Sequence, residues 1–399
     1  MWAGLRLTCA TLAAGAALTA CGAGSGSGSG SAAAVHSRRV APATCSRAMA
    51  AQPRLHGVRT AFESTDASPF GVVSALGTRW SFLATMGAGI EVMSDRSFLP
   101  RVSQAVSLPG DDAVGDTITR DGRYVLAADD GGAVVIDAHR AEQGRGGAVV
   151  GHLRAPGGGA GAIEVATSAD GRFAFVTLEG SGRMAVFDLS AALADHFRTS
   201  SFVGDVPLGI APVGMALSPD GRWLYATSEL GAPSARYGSL KVIDVHTAET
   251  HPARAVVATA VAGCGPVRVA ASSDGRTVWV TARESDVLLA FSAAKLRTDP
   301  AHALRADVRV GEAPVGLALV DHDSRVVVAD SNRFGARGAR SELTVVNAAA
   351  ALAGRPAVVG SLPAGLFPRE MAVEPGGRTL LVGNFQSRQL EAVDITRLP

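Results

Sequence analysis

Glu164, Arg268 and Glu370 are the residues of this chain best placed to do chemistry. Each occupies one recurring slot, just ahead of the first large apolar residue of a short apolar run. In the other copies of that run the slot holds Gly71, Gly115, Gly214 and Gly316. Glycine at such a slot is what close backbone packing favours, so three charged residues there break a rule and need a partner, water or a function. Asp116 and Arg369 lie one residue away from the slot. Two readings follow. The carboxylates could act as general bases with Arg268 stabilising a developing oxyanion. Alternatively, the group is a mutual Glu–Arg–Glu network that stiffens the centre of the fold.

A second set of candidates sits in two long connections, SELGAPSARYGSL from Ser228 and DSNRFGARGARSEL from Asp330. They carry Arg236, Tyr237, Arg333, Phe334, Arg337 and Arg340. Arginine beside aromatic residues suits recognition of an anionic or glycan-like partner, and the same loops could simply cover the surface below them. Asn384, Gln386 and Arg388 in NFQSRQL add polar groups. Other chemistry lacks support. The nine histidines show no zinc-ligand spacing, and no calcium-loop pattern appears. PGGGAGAIE from Pro156 leads into a strand and so offers phosphate no helix terminus. No nucleophile elbow or triad is present, so neither a metal nor a cofactor is expected.

The elements that must position these residues are repeats. MALSPDGRWLYATS from Met215 recurs as TITRDGRYVLAAD, ATSADGRFAFVTL, AASSDGRTVWVTA and AVEPGGRTLLVGN, with weaker copies near Val72 and Leu317. Measured on the Arg after the turn (Arg79, Arg123, Arg172, Arg222, Arg276, Arg325, Arg378), the spacing is 44 to 54 residues. A period near 40–50 residues belongs to propeller blades or helical arrays. Short apolar runs of period two on either side of Asp-Gly form hairpins, and a further pair of strand-like runs follows each one. The repeats therefore predict four antiparallel strands each and no helices, with the Asp of the turn structural. The last copy stops after its third strand, whereas Leu55–Phe62 precedes the first copy as an unassigned strand. That N-terminal strand is expected to complete the last blade, which removes free edges. The fold class is all-β: a seven-bladed β-propeller of four-stranded antiparallel blades over residues 55–399.

The pattern PVGMALSPDGRWLYATS…GSLKVIDV resembles the YVTN-type β-propeller repeat of exported bacterial proteins, related to lactonase-type seven-bladed propellers. The resemblance spans roughly Val58 to Pro399. It implies that inner-strand entrances and the loops after second strands share one face around a central channel, where function would sit. The fold hosts lactonases and binding proteins alike. The chain departs from the lactonase pattern in lacking a His-Pro-His segment: its one His-Pro, His251-Pro252, falls in a loop between third and fourth strands.

The N-terminus carries a different message. MWAGLR and the apolar LTCATLAAGAA read as a leader over residues 1–20, too short to span a bilayer. The leader ends in Leu18-Thr19-Ala20-Cys21, which resembles a bacterial lipobox and implies lipidation of Cys21. A Gly/Ser-rich tether follows within residues 21–54. The expected location is the extracytoplasmic side of the cell membrane, with a lipid anchor as the sole membrane contact. Cys9 would leave with the leader, so Cys45 and Cys264 remain as a disulfide candidate in an oxidising compartment. A net charge of +1 gives no field for nucleic acid, and a monomer is expected. The reading is a binding or scaffold protein of the cell envelope, taking a small polar ligand or an envelope partner at the channel mouth. The alternative is a lactonase-type hydrolase or lyase using the Glu/Arg cluster.

Overall fold

Each repeat is organised by its turn. In the fourth repeat the Arg222 amide donates to Asp220 Oδ1 at 3.1 Å and the Trp223 amide to Ser218 Oγ at 2.9 Å. Gly221 sits at φ 71°, a left-handed conformation that glycine adopts without strain. Thr119/Asp121, Ser168/Asp170 and Ser272/Asp274 repeat the arrangement. The sixth repeat turns instead through Asp321, His322 and Asp323, all at positive φ. Its Arg325 opens the second strand and pairs with Asn347, as Trp223 does with Asp244 in the fourth repeat, so it stands one residue later than the other turn arginines, which explains the weak sequence copy.

The structure, a computed structural model, describes Cys45 and residues 52–399 except 76, 95–96, 109, 111, 158–160, 233–234 and 336–339. The leader, Cys21 and the Gly/Ser tract lie outside the described residues. Among the described residues the strands form seven four-stranded antiparallel sheets. The innermost strands of blades 1 to 7 are Ser68–Ser74, Asp116–Ile118, Ala162–Thr167, Ile210–Leu217, Pro266–Ala271, Pro314–Val320 and Pro368–Val373. Each packs against the innermost strand of the next blade, and blade 7 packs against blade 1 to close the ring. The core lies between blades. Leu240 and Val242 of blade 4, for example, pack with Val280, Leu289 and Phe291 of blade 5. Middle strands are buried on both faces, so they read as continuous apolar runs such as Thr277–Ala282, TVWVTA.

Closure comes from Thr60–Ser64, which pairs antiparallel with Gln389–Asp394 as the fourth strand of blade 7. The strand begins five residues later than the sequence pattern suggested. Gly57, at φ 78°, breaks the expected run, and the residues ahead of it serve blade 6. There the Leu55 amide donates to the Ser361 carbonyl at 2.8 Å, and Ser361 returns a bond to the Pro53 carbonyl at 2.9 Å. Cys45 is disulfide-bonded to Cys264 of blade 5, with Cα atoms 5.4 Å apart. The N-terminal segment thus reaches blades 5, 6 and 7.

The expectation of no helices needs correction. Five short helices follow the third strands of blades 2 to 6: Ala138–Glu142, Leu189–Ala194, Val245–Thr250, Ala293–Thr298 and Ala348–Leu352. The residue closing each of those strands (Asp137, Asp188, Asp244, Ser292, Asn347) accepts a backbone N–H of the helix with its side chain. The recurrent Asp at that position is a helix N-cap, a signal too short to show helical periodicity.

Candidate functional site at the channel mouth

Inner-strand starts pair with second-strand ends, as Pro266 does with Ala282, so both open on one face. The four slot glycines are explained there. A side chain at Gly71 would lie 2.5 Å from Asp116 Oδ1, and one at Gly316 would collide with the Arg369 carbonyl of the next blade. Threonines of the second strands lock the same layer: Thr227 Oγ1 donates to the Val267 carbonyl at 2.7 Å, and Thr281 Oγ1 to the Val315 carbonyl at 2.6 Å. Thr177 and Thr281 also accept the slot amides of Glu164 and Arg268 at 3.0 and 3.1 Å. The slot residues thus stand on a rigid belt of hydrogen bonds.

Glu164, Arg268 and Glu370 project from blades 3, 5 and 7 and meet. Arg268 Nε donates to Glu370 Oε1 and lies 3.4 Å from Glu164 Oε2, while Nη1 donates to the Val213 carbonyl at 2.7 Å. The side chains are 6%, 14% and 18% exposed for Arg268, Glu164 and Glu370, so little solvent screens them. Burial pushes the Glu164 carboxyl up to about 8, against the pull of Arg268 and with repulsion from Glu370. Asp116 also faces this group. Burial, then the charges of Glu164 and Glu370, raises its carboxyl well above the usual range, against the pull of backbone amides. Proton uptake by Glu164 and Asp116 therefore lowers the negative charge of the cluster.

Arg369 does not join the triad by contact. Its guanidinium carbon stands 3.7 Å from the ring centre of Phe70, 5.2 Å from Phe367 and 5.5 Å from Phe385. Burial, then the field of Arg268, lowers its titration to about 9. Its slot, directly before the glycine-or-charge position, is apolar in the other blades: Phe70, Val114, Ile163, Val213, Val267, Val315. Val213, Val267 and Val315 form an apolar collar with Phe367, Ile163 and Phe385. Arg333 reaches the other side of the cage, 5.8 Å from Phe367. Phe334 is held through its amide, which donates to Glu312 Oε1 at 3.1 Å.

Arg236 and Tyr237 stand apart. Arg236 is exposed, Tyr237 is half-buried, and no ion pair or ring contact among the described residues brings either to the triad. Arg337 lies outside the described residues. Sequence reading missed the Phe70–Phe367–Phe385 cage and the Glu229–Arg283 pair, 2.7 Å apart on the same face. Glu179, Glu229, Arg283 and Phe385 all stand seven residues after the turn arginine of their repeat, so aligning the repeats at that position could have found them.

Seven four-stranded antiparallel blades closed in a ring, with an acid–guanidinium cluster among the inner strands, define a seven-bladed β-propeller. Residues 102–333 match the family described as "Lactonase, 7-bladed beta-propeller", and the chain belongs to that family. No curated protein matches it. Among solved structures it is similar to Kuenenia stuttgartiensis Hydrazine Synthase, at 16% identity and TM-score 0.65 over 86% of this chain and 99% of that one. It is also similar to the Myceliophteria thermophila Cps50 (Swd1) beta-propeller domain, at 14% identity and TM-score 0.62 over 84% of this chain and 99% of that one. At these identities the likeness concerns the fold.

Proposed function

We propose that this protein is a binding propeller of the cell envelope, lipid-anchored through Cys21 on the extracytoplasmic side, which takes its partner at the channel mouth without turning it over. One observation carries the reading: the carboxylates that would serve as bases are ion-paired with the guanidinium that would serve an oxyanion. Glu164, raised to about 8, holds its proton near neutrality and so is not available there as a base, and Arg268 also has Nη1 committed to a backbone carbonyl. The test is a thermal-shift panel of lactones, sugar acids and envelope glycans on the full-length chain in detergent, with lactone turnover assayed in parallel. A stabilising ligand without turnover is expected. Mass spectrometry of the N-terminal peptide, with Cys21→Ser as control, tests the anchor.

Family membership favours a second reading, lactonase-type hydrolysis, in which Glu164, protonated near neutrality, would serve as general acid. Lactone turnover abolished by Glu164→Gln would establish it and overturn the first.

A further inference from the structure

Four arginines face the mouth, and they are not equivalent. Arg268 is neutralised by Glu164 and Glu370, and Arg283 by Glu229. Arg333 and Arg369 have no carboxylate within ion-pair distance among the described residues, and both stand against the ring of Phe367. Arg369 Nε is also buried without a hydrogen-bond acceptor. Arg268 Nη2 and Arg283 Nε are likewise unsatisfied, but those two guanidiniums are ion-paired through their other nitrogens, so Arg369 is the buried one with room for an anionic acceptor.

The aromatic side of the mouth is built on a turn that the repeat imposes. Phe367 has φ 56°, the left-handed conformation that Ala211, Gly265 and Ala313 take at the same inner-strand entrances, and blade 7 places a bulky ring there. Three bonds hold it there: its amide donates to Ser341 Oγ at 3.2 Å, its carbonyl accepts from Phe385 at 2.9 Å, and the Leu366 amide donates to Ser387 Oγ at 3.1 Å. Leu366 beside it is 58% exposed, the largest exposure of any large apolar residue described. Two cations without an ion-pair partner beside one ring, with an apolar lip, describe a receptor for a flat apolar body bearing one negative charge. Glu229 and Glu370 close by would repel a second charge.

We propose that the mouth between blades 6, 7 and 1 binds an aromatic carboxylate, its carboxylate taken by Arg333 and Arg369 and its ring packed on the half-buried Phe385 and the exposed Leu366. This rests on the binding reading above and names its ligand class. Forked donors suit a carboxylate, and ring edges around the cations suit an offset or edge-on aromatic.

Isothermal titration of the full-length chain with benzoate, acetate and benzyl alcohol tests it. Benzoate is expected to bind, with acetate and benzyl alcohol at least about tenfold weaker. Arg333→Gln should cost at least about tenfold in benzoate affinity with melting unchanged, because Arg333 is exposed and outside the core. Phe385→Leu, which keeps an apolar side chain, should weaken benzoate and leave acetate as it was. Equal binding of benzoate and acetate, or a fully competent Arg333→Gln, would overturn the proposal. Should benzoate fail while a sugar acid or glycan stabilises the protein, this inference falls and the binding reading stands. Silence across the whole panel removes both.

Discussion

Replacing Arg268 by Met is the most informative single perturbation of this molecule. Methionine fills much of the arginine's volume, so the change removes charge more than packing. It leaves Glu164 and Glu370 facing each other with no cation bridging them, both less than one-fifth exposed. Breaking a buried ion pair by removing one partner costs about 3–5 kcal/mol. Spread over roughly 345 propeller residues at about 2.1 cal/mol/K each, that lowers the melting temperature by about 4–7 °C. The cost depends on pH with a fixed sign. Glu164 titrates near 8 in the folded chain against 4.5 as its ordinary value, so the folded form holds the extra proton between those limits. The contribution of Glu164 to stability is therefore greatest below about pH 4.5 and is lost as pH rises towards 8. Without Arg268 its carboxyl moves further up, and that fall steepens. Urea melts at pH 5 and pH 8.5 are expected to show the full deficit at pH 8.5 and about 1 kcal/mol at pH 5, where protonation relieves the repulsion. Combining Arg268→Met with Glu164→Gln and Glu370→Gln should restore most of the loss. A deficit equal at both pH values would refute the reasoning, because it would make the arginine's role one of packing. No deficit at all would mean that water already screens the carboxylates.

Cys45→Ser is expected to cost about 2–5 kcal/mol in urea melts under oxidising conditions and nothing in the presence of reductant, since the bridge closes a loop with a sequence separation of 219. Gly316→Ala should destabilise strongly, by about 2 kcal/mol or more, because its new methyl collides with the Arg369 carbonyl of the next blade. Gly376→Ala is the matched control: with no atom within 4 Å of its added carbon, it should melt within about 0.5 kcal/mol of the parent. Glu391→Gln should flatten the decline in stability between pH 4.5 and 7, where burial raises the native carboxyl to about 7; an unchanged slope in the variant would exclude Glu391 as its source.

The fold was legible because one sentence is written seven times. Asp-Gly turns, double-faced apolar strands and the Pro-x-Gly entrance recur closely enough to count blades, and the missing fourth strand of the last copy pointed to its replacement near the N-terminus. The charged slot was legible for the same reason: Glu164, Arg268 and Glu370 stand out only against Gly71, Gly115, Gly214 and Gly316. The aromatic cage was not. Phe70 and Phe367 lie almost 300 residues apart and meet only because the ring closes between blades 7 and 1. Whether the charged residues converge on open space or on one another was equally hidden, since it depends on side-chain reach across the axis. The N-caps were visible as recurring Asp residues, but helices of five or six residues leave no periodicity to read.

Alternation around the ring explains why the triad closes. The charges come from blades 3, 5 and 7, and blades 4 and 6 between them present Gly214 and Gly316. A side chain at either glycine would strike the backbone of the next blade, so these blades also leave clear the space that Arg268 crosses to reach both carboxylates. Blades 1 and 2 carry Gly71 and Gly115 in the same slot, and there Asp116 turns towards the acids with no cation in reach. Arg268 thus serves two carboxyls, and the excess acid is met by proton uptake. The second cation, Arg369, is the one that this arrangement leaves over: one residue out of phase with the slot, it enters the apolar collar, where the rings of Phe70, Phe367 and Phe385 stand around it. Recognition at this mouth should follow that asymmetry, with the triad setting the floor and the unneutralised pair, Arg369 and Arg333, facing what arrives.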